Sequence, residues 1–190
     1  IRKKAISIFT LEQYVEQAMM TIKQCRIIKS AVAEHRNILV VGGTGSGKTT
    51  LVNAIINEMV IHDPTERIFI IEDTGEIQCA AENFVQYHTS LDVSMTQLLK
   101  TTLRMRPDRI LVGEVRGELV VDFLDASNCG HEGVVATLHA NDALSGLTRL
   151  NSLITRNKSA PADIDALIGE VVHCVVHIVR TPTGRRIQEI

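Results

Sequence analysis

Lys48 and Thr49 close an eight-residue stretch, Gly42-Gly43-Thr44-Gly45-Ser46-Gly47-Lys48-Thr49, that fits G-x-x-x-x-G-K-[ST] in full. The chemistry this spacing suits is polyphosphate binding. The backbone of Gly43, Thr44, Gly45, Ser46 and Gly47 can wrap a phosphate with its N–H groups pointing inward. A helix opening through Lys48, Thr49 and Thr50 adds unpaired N–H donors and the positive end of its dipole. The Lys48 ammonium reaches the β- and γ-phosphates, and the Thr49 hydroxyl is set to ligate Mg²⁺. By this reading the chain binds a nucleoside triphosphate.

Four further sets of side chains have types suited to acting on that ligand. The apolar run Ile110-Leu111-Val112-Gly113 ends in Glu114, a carboxylate fit to hold Mg²⁺ directly or through water, or to cap the following helix. The usual Asp is replaced here by Glu. Glu72-Asp73-Thr74-Gly75-Glu76 brings three carboxylates together, which is unfavourable unless a cation or bound water shares them. A general base for water is the natural task, with Glu76 the first candidate and Glu72 the second; a solvated acidic turn is the alternative. His131 and His139 flank the run Val134-Val135-Ala136-Thr137-Leu138; a lone histidine is usually structural and no third ligand stands at zinc-binding spacing, so the functional reading is a γ-phosphate sensor. Arg104, Arg106, Arg109 and Arg116 surround the Glu114 run. Their guanidinium groups match phosphate oxygens as arginine fingers across a subunit boundary, or form salt bridges to Asp108, Glu114 or Glu118.

Alternating strands and helices must position these groups. Asn37–Val41 reads as a buried strand before the phosphate loop, and Thr50–Met59 as a helix with Leu51, Ile55 and Met59 on one face. Further strands are expected at Ile68–Ile71, Ile110–Gly113 and Val134–Leu138, with helices at Met95–Met105, about 118–127 and about 143–155. Thr10, Thr21 and Ser94 are suited to cap helices at Leu11–Met19, Thr21–Glu34 and from Met95. Pro161–Val172 reads as one more helix, then Cys174–Arg180 and Arg185–Ile190 as a hairpin around Thr181-Pro182-Thr183-Gly184. This rhythm indicates right-handed βαβ crossovers, an α/β fold and a mainly parallel sheet flanked by helices. Ligands of such sheets sit at the carboxyl ends of the strands. Gly42, Glu72, Glu114 and His139 all fall there.

Composition narrows the remaining classes. The 190 residues are 45% hydrophobic with a net charge of -2, enough for one sizeable core and without the global basic field of non-specific DNA binders. Cys25, Cys79, Cys129 and Cys174 are scattered, so reduced thiols in a cytosolic protein are expected rather than a disulfide framework. No run approaches the ~18 apolar residues that span a bilayer, and Ile1-Arg2-Lys3-Lys4 does not open a signal peptide. A chain that begins at Ile1 and stops on a strand at Ile190 is expected to be a piece of a longer protein.

Four motifs now stand in order: Gly42–Thr49, Ile71–Glu76, Arg109–Arg116 and Gly130–Asn141. Together they resemble the Walker A, Asp box, Walker B and His box of the type II/type IV secretion ATPase superfamily. The segments Asn37–Ile55 and Leu103–Arg116 are similar to the TrbB branch of conjugal-transfer ATPases, and the likeness runs from about Phe9 to the C-terminal hairpin. Cys129 stands where that family often has Thr, and Gly117–Val120 departs from its usual run; neither removes a catalytic group. The resemblance implies a RecA-like domain over residues 37–190, with residues 1–36 as a helical lead-in trailing a separate N-terminal domain. It also implies a homohexameric ring with ATP and Mg²⁺ at subunit boundaries. Such a ring would be cytoplasmic, at the inner face of the inner membrane, bound peripherally through secretion-channel and coupling proteins.

The expected activity is ATP hydrolysis powering conjugative type IV secretion or pilus assembly. Type II secretion and pilus extension or retraction share the four motifs and are alternatives, as is a nucleotide-binding scaffold. A DNA-processing motor is disfavoured by the net charge and by 3% aromatic content, and no stable sequence-specific nucleic-acid binding is expected.

Overall fold

Three hydroxyl residues start three helices by the same reciprocal device. Thr10, Thr21 and Ser94 each accept a hydrogen bond from the backbone N–H three residues on, and Gln13, Gln24 and Gln97 reach back to the capping residue's own N–H. The computed structural model describes residues 8–117, 119–128, 130, 132–158, 160, 161 and 163–190. In chain order these form α1 (Leu11–Glu16), α2 (Ile22–Ala33), β1 (Ile38–Val41), α3 (Lys48–His62), β2 (Ile68–Glu72) and β3 (Phe84–His88). There follow α4 (Met95–Thr102), β4 (Arg109–Val112), α5 (Leu119–Asn128), β5 (Val135–Leu138), α6 (Ala143–Thr155), α7 (Ile164–Val171), β6 (Cys174–Thr181) and β7 (Gly184–Glu189).

The strands make one sheet in the order β3-β2-β4-β5-β1-β6-β7, parallel throughout except for the β6–β7 hairpin. Alternation along β1 sends Ile38 and Val40 into one apolar layer and Leu39 and Val41 into the other. The first layer packs α1, α2 and α3 against the sheet through Leu11, Tyr14, Ile28, Leu51 and Ile55. The second packs α4 to α7 through Leu99, Phe123, Leu150 and Ile168. The lead-in helices thus share a core with β1 and α3.

Several boundaries differ from those expected. The Met95 helix stops at Thr102 and tightens into a 3-10 turn over Leu103–Met105, after which Arg106 takes φ 53°, because Pro107 disfavours a right-handed helical conformation before it. Helix α7 begins at Ile164, capped by Asp163, rather than at Pro161. Strand β3 was not expected at all; it is a partly exposed edge strand parallel to β2. The hairpin also does more than terminate the chain. Because β6 pairs in parallel with β1 and His177 lies opposite Val41, residues 178–181 run past the end of β1 and overhang the phosphate loop. No helix among the described residues is long and apolar enough to cross a membrane.

Candidate functional site

The carboxyl ends of β1, β2, β4 and β5 open onto a cleft of about 520 Å³ lined by the phosphate loop and α3 on one side and by Glu72, Glu76, Glu114 and His139 on the other. Gly45 (φ 71°) and Gly47 (φ 104°) adopt backbone conformations that L side chains rarely take. Gly47 begins α3 with no side-chain cap, so the first N–H groups of the helix face the cleft for a ligand to satisfy. The ammonium of Lys48 donates to the carbonyls of Gly42 (2.9 Å) and Gly43 (3.1 Å) and lies 3.3 Å from His139 Nδ1. Thr44, Thr49 and Thr50 also border the cleft.

Gly42 allows the closest approach in the loop. A Cβ built on it would stand 2.3 Å from the Ile178 carbonyl and 2.6 Å from Ser46 Oγ. Gly42→Ala must therefore push the overhanging strand off the loop, and a loss of about 1–3 kcal/mol is expected, read as a lower melting temperature. An unchanged melting temperature would mean that the two segments are not in contact.

Gly113 serves the same end on β4, since a Cβ there would meet Glu72 Cβ at 2.8 Å. The next residue, Glu114, accepts from Arg116 Nη2 and has Oε1 3.5 Å from His139 Nε2. Burial pushes the Glu114 carboxyl upward, but the Arg116 hydrogen bond with the charges of His139, Arg116 and Lys48 prevails and holds it below its ordinary value. The carboxylate is thus ionised at neutral pH. His139 thus turns Nδ1 toward the Lys48 ammonium and Nε2 toward the Glu114 carboxylate. His139 so links the phosphate-loop lysine to the Glu114 carboxylate. Arg116 also reaches Asp73 at 3.3 Å, tying the β2 loop to the β4 loop.

The two carboxylates offered for the base have different surroundings. Glu72 is 3% exposed. Its Oε2 accepts the backbone N–H groups of Glu76 (2.9 Å) and Ile77 (3.1 Å), and its Oε1 accepts from Gln86 Nε2 on β3 with His88 nearby. Glu76 is only partly buried and borders the cleft.

Not every sequence candidate comes to this cleft. Arg104 and Arg106 are exposed and precede β4, at the amino ends of the strands and so at the opposite end of the sheet from the phosphate loop. Arg109, one of the arginines grouped with them, is fully buried and pairs with Glu66 at 2.7 Å while donating to the Val32 carbonyl at 2.9 Å. Of the four, Arg116 alone borders the cleft. His131 lies outside the described residues, as do Cys129 and Glu118. Conversely, Gln86 and Arg185 belong to the site's surroundings without having been singled out. Gln86 sits on the unexpected strand, and Arg185 follows the hairpin turn, where sequence shows nothing of the overhang.

A family model described as "Type II/IV secretion system protein" matches residues 1–186. The chain belongs to that family. Within this secretion family it is 49% identical over 190 residues to the probable conjugal transfer protein TrbB of Sinorhizobium fredii, covering 100% of this chain and 58% of that protein. The crystal structure of the VirB11 ATPase from the Brucella suis type IV secretion system superposes with a TM-score of 0.82 at 30% identity, covering 100% of this chain and 64% of that one. The pilus retraction motor PilT with bound ADP matches at TM-score 0.76 and 23% identity, covering 97% and 52% of the two chains, a likeness of fold. The chain spans 58% of the length of the TrbB relative.

Proposed function

We propose that this chain is the nucleotide-hydrolysing core of a ring-forming ATPase that drives substrate transfer or pilus assembly in conjugative type IV secretion. The observation that carries the reading is the meeting of Lys48, Glu114, His139 and the Glu72–Glu76 loop in one cleft at the carboxyl ends of the strands. The 49% identity to a conjugal transfer protein favours the conjugative branch over a pilus retraction motor.

In this reading the loop backbone and Lys48 hold the β- and γ-phosphates. Glu76 takes a proton from the attacking water as the bond between the γ-phosphorus and the β-bridging oxygen breaks, giving ADP and phosphate. Glu72 fixes the loop that carries Glu76. His139 loses its Lys48 contact when the lysine turns to the ligand, and passes that change to Glu114 and to α6, which begins four residues later. The Thr49 hydroxyl and the ionised Glu114 are hard oxygen donors that fit Mg²⁺, which uses one or two protein oxygens with waters and phosphates; no group of three or more ligating side chains exists among the described residues. Bound there, Mg²⁺ would neutralise charge on the β- and γ-oxygens. We further assign the whole protein to a homohexamer at the cytoplasmic face of the inner membrane, held there by channel and coupling proteins, with Arg104 and Arg106 free to face a neighbouring subunit.

Steady-state phosphate release tests this. Lys48→Ala is expected to lower turnover by about 10²–10³-fold, the size of effect seen when a preorganised donor is removed. Retained turnover would sink the assignment of the cleft. Nucleotide binding without turnover at any protein concentration would favour a scaffold, and strong stimulation by DNA a nucleic-acid motor.

A further inference from the structure

Two arginines on the β6–β7 hairpin are left without a task by the hydrolysis described above. Arg180 and Arg185 stand directly opposite each other in the antiparallel register, which puts both side chains on one face of the hairpin. Like charges in that relation are unfavourable unless an anion lies between or beside them. Both are exposed, and neither side chain makes a hydrogen bond or ion pair among the described residues. Arg185 lies against the phosphate loop: a Cβ on Gly47 would meet its Cδ at 2.6 Å and its Nε at 3.0 Å. It also borders the nucleotide cleft.

Sheet order fixes which end of a nucleotide can reach it. Glu72 ends β2 and Glu114 and His139 follow β4 and β5, all on one side of β1, whereas β6 and β7 lie on the other. A triphosphate seated on the loop with its γ-phosphate toward the carboxylates must run its α-phosphate toward the hairpin. We propose that Arg185, with Arg180 reinforcing the field behind it, binds the α-phosphate of the nucleotide. The overhang of residues 178–181 beyond β1, paired with β7, holds Arg185 against the phosphate loop, and its planar fork suits a phosphate oxygen pair. This rests on the nucleotide-binding reading and adds how the nucleoside end is held. It also makes the hairpin a clamp on ADP as much as on ATP.

Calorimetric titration with ADP, a non-hydrolysable ATP analogue and inorganic tripolyphosphate distinguishes the cases. Arg185→Ala is expected to weaken all three by about tenfold, as loss of one charge-assisted hydrogen bond does, with Arg185→Lys intermediate and the melting temperature of the ligand-free protein unchanged. Weakening of the ATP analogue alone would overturn the proposal in favour of a γ-phosphate contact. Weakening of the two nucleotides with tripolyphosphate unaffected would overturn it in favour of a base contact, and unchanged binding of all three would remove Arg185 from the site. Failure of the unaltered protein to bind any of the three would instead overturn the nucleotide reading itself.

Discussion

Glu76→Gln is expected to lower kcat for ATP hydrolysis by about 10²–10⁴-fold, the range for loss of a general base, while leaving the melting temperature in place. Glu72→Gln is expected to lower both. The difference follows from how each carboxylate is held. Both oxygens of Glu72 are occupied, one by the N–H groups of Glu76 and Ile77 and the other by Gln86 and His88. Its substitution removes one acceptor and turns an amide toward donors, which costs about 1.5–3 kcal/mol for hydrogen bonds to a charged group. The loop that carries Glu76 would then lose its anchor, so turnover falls as a consequence. Glu76 borders the cleft, and glutamine is nearly isosteric there. Measuring kcat beside the melting temperature for both variants separates the roles. A silent Glu76→Gln with a Glu72→Gln that loses turnover but no stability would reverse them.

That contrast also marks where sequence reading stopped. The phosphate loop, the Glu114 strand and the His139 strand were legible as elements because each is a short local pattern of adjacent residues. Their convergence followed from the parallel α/β rhythm alone. The different surroundings of Glu72 and Glu76 depend on Gln86, which lies fourteen residues away on a strand whose polar residues hid it. Arg185 needed the register of β6 against β1, a pairing across more than a hundred residues. Arg109 shared its neighbourhood with Arg104, Arg106 and Arg116 in sequence, but its partner Glu66 is 43 positions distant.

Arg109→Ala should therefore act on stability and hardly on chemistry. Arg109 is fully buried, with Nε on Glu66 and Nη2 on the Val32 carbonyl, and it lies in space left open by Gly133, whose Cβ would stand 2.6 Å from Nη1. Glu66 is 6% exposed and is also contacted by His35 at 2.6 Å. Removing the guanidinium strands a buried carboxylate and a carbonyl, and breaking such a pair from one side costs about 3–5 kcal/mol. For a chain of this size that lowers the melting temperature by on the order of 10 °C. Turnover per folded molecule, measured well below the transition, should stay within about twofold. Replacing both partners by apolar residues of similar volume, as in Arg109→Met with Glu66→Leu, should recover much of the loss, because the desolvation of two charges disappears together with their attraction. A double variant no more stable than Arg109→Ala would mean that the pair holds α2 and β4 together through the Val32 bond instead. A collapse of kcat in a well-folded Arg109→Ala would favour the arginine-finger reading for this residue over the salt bridge.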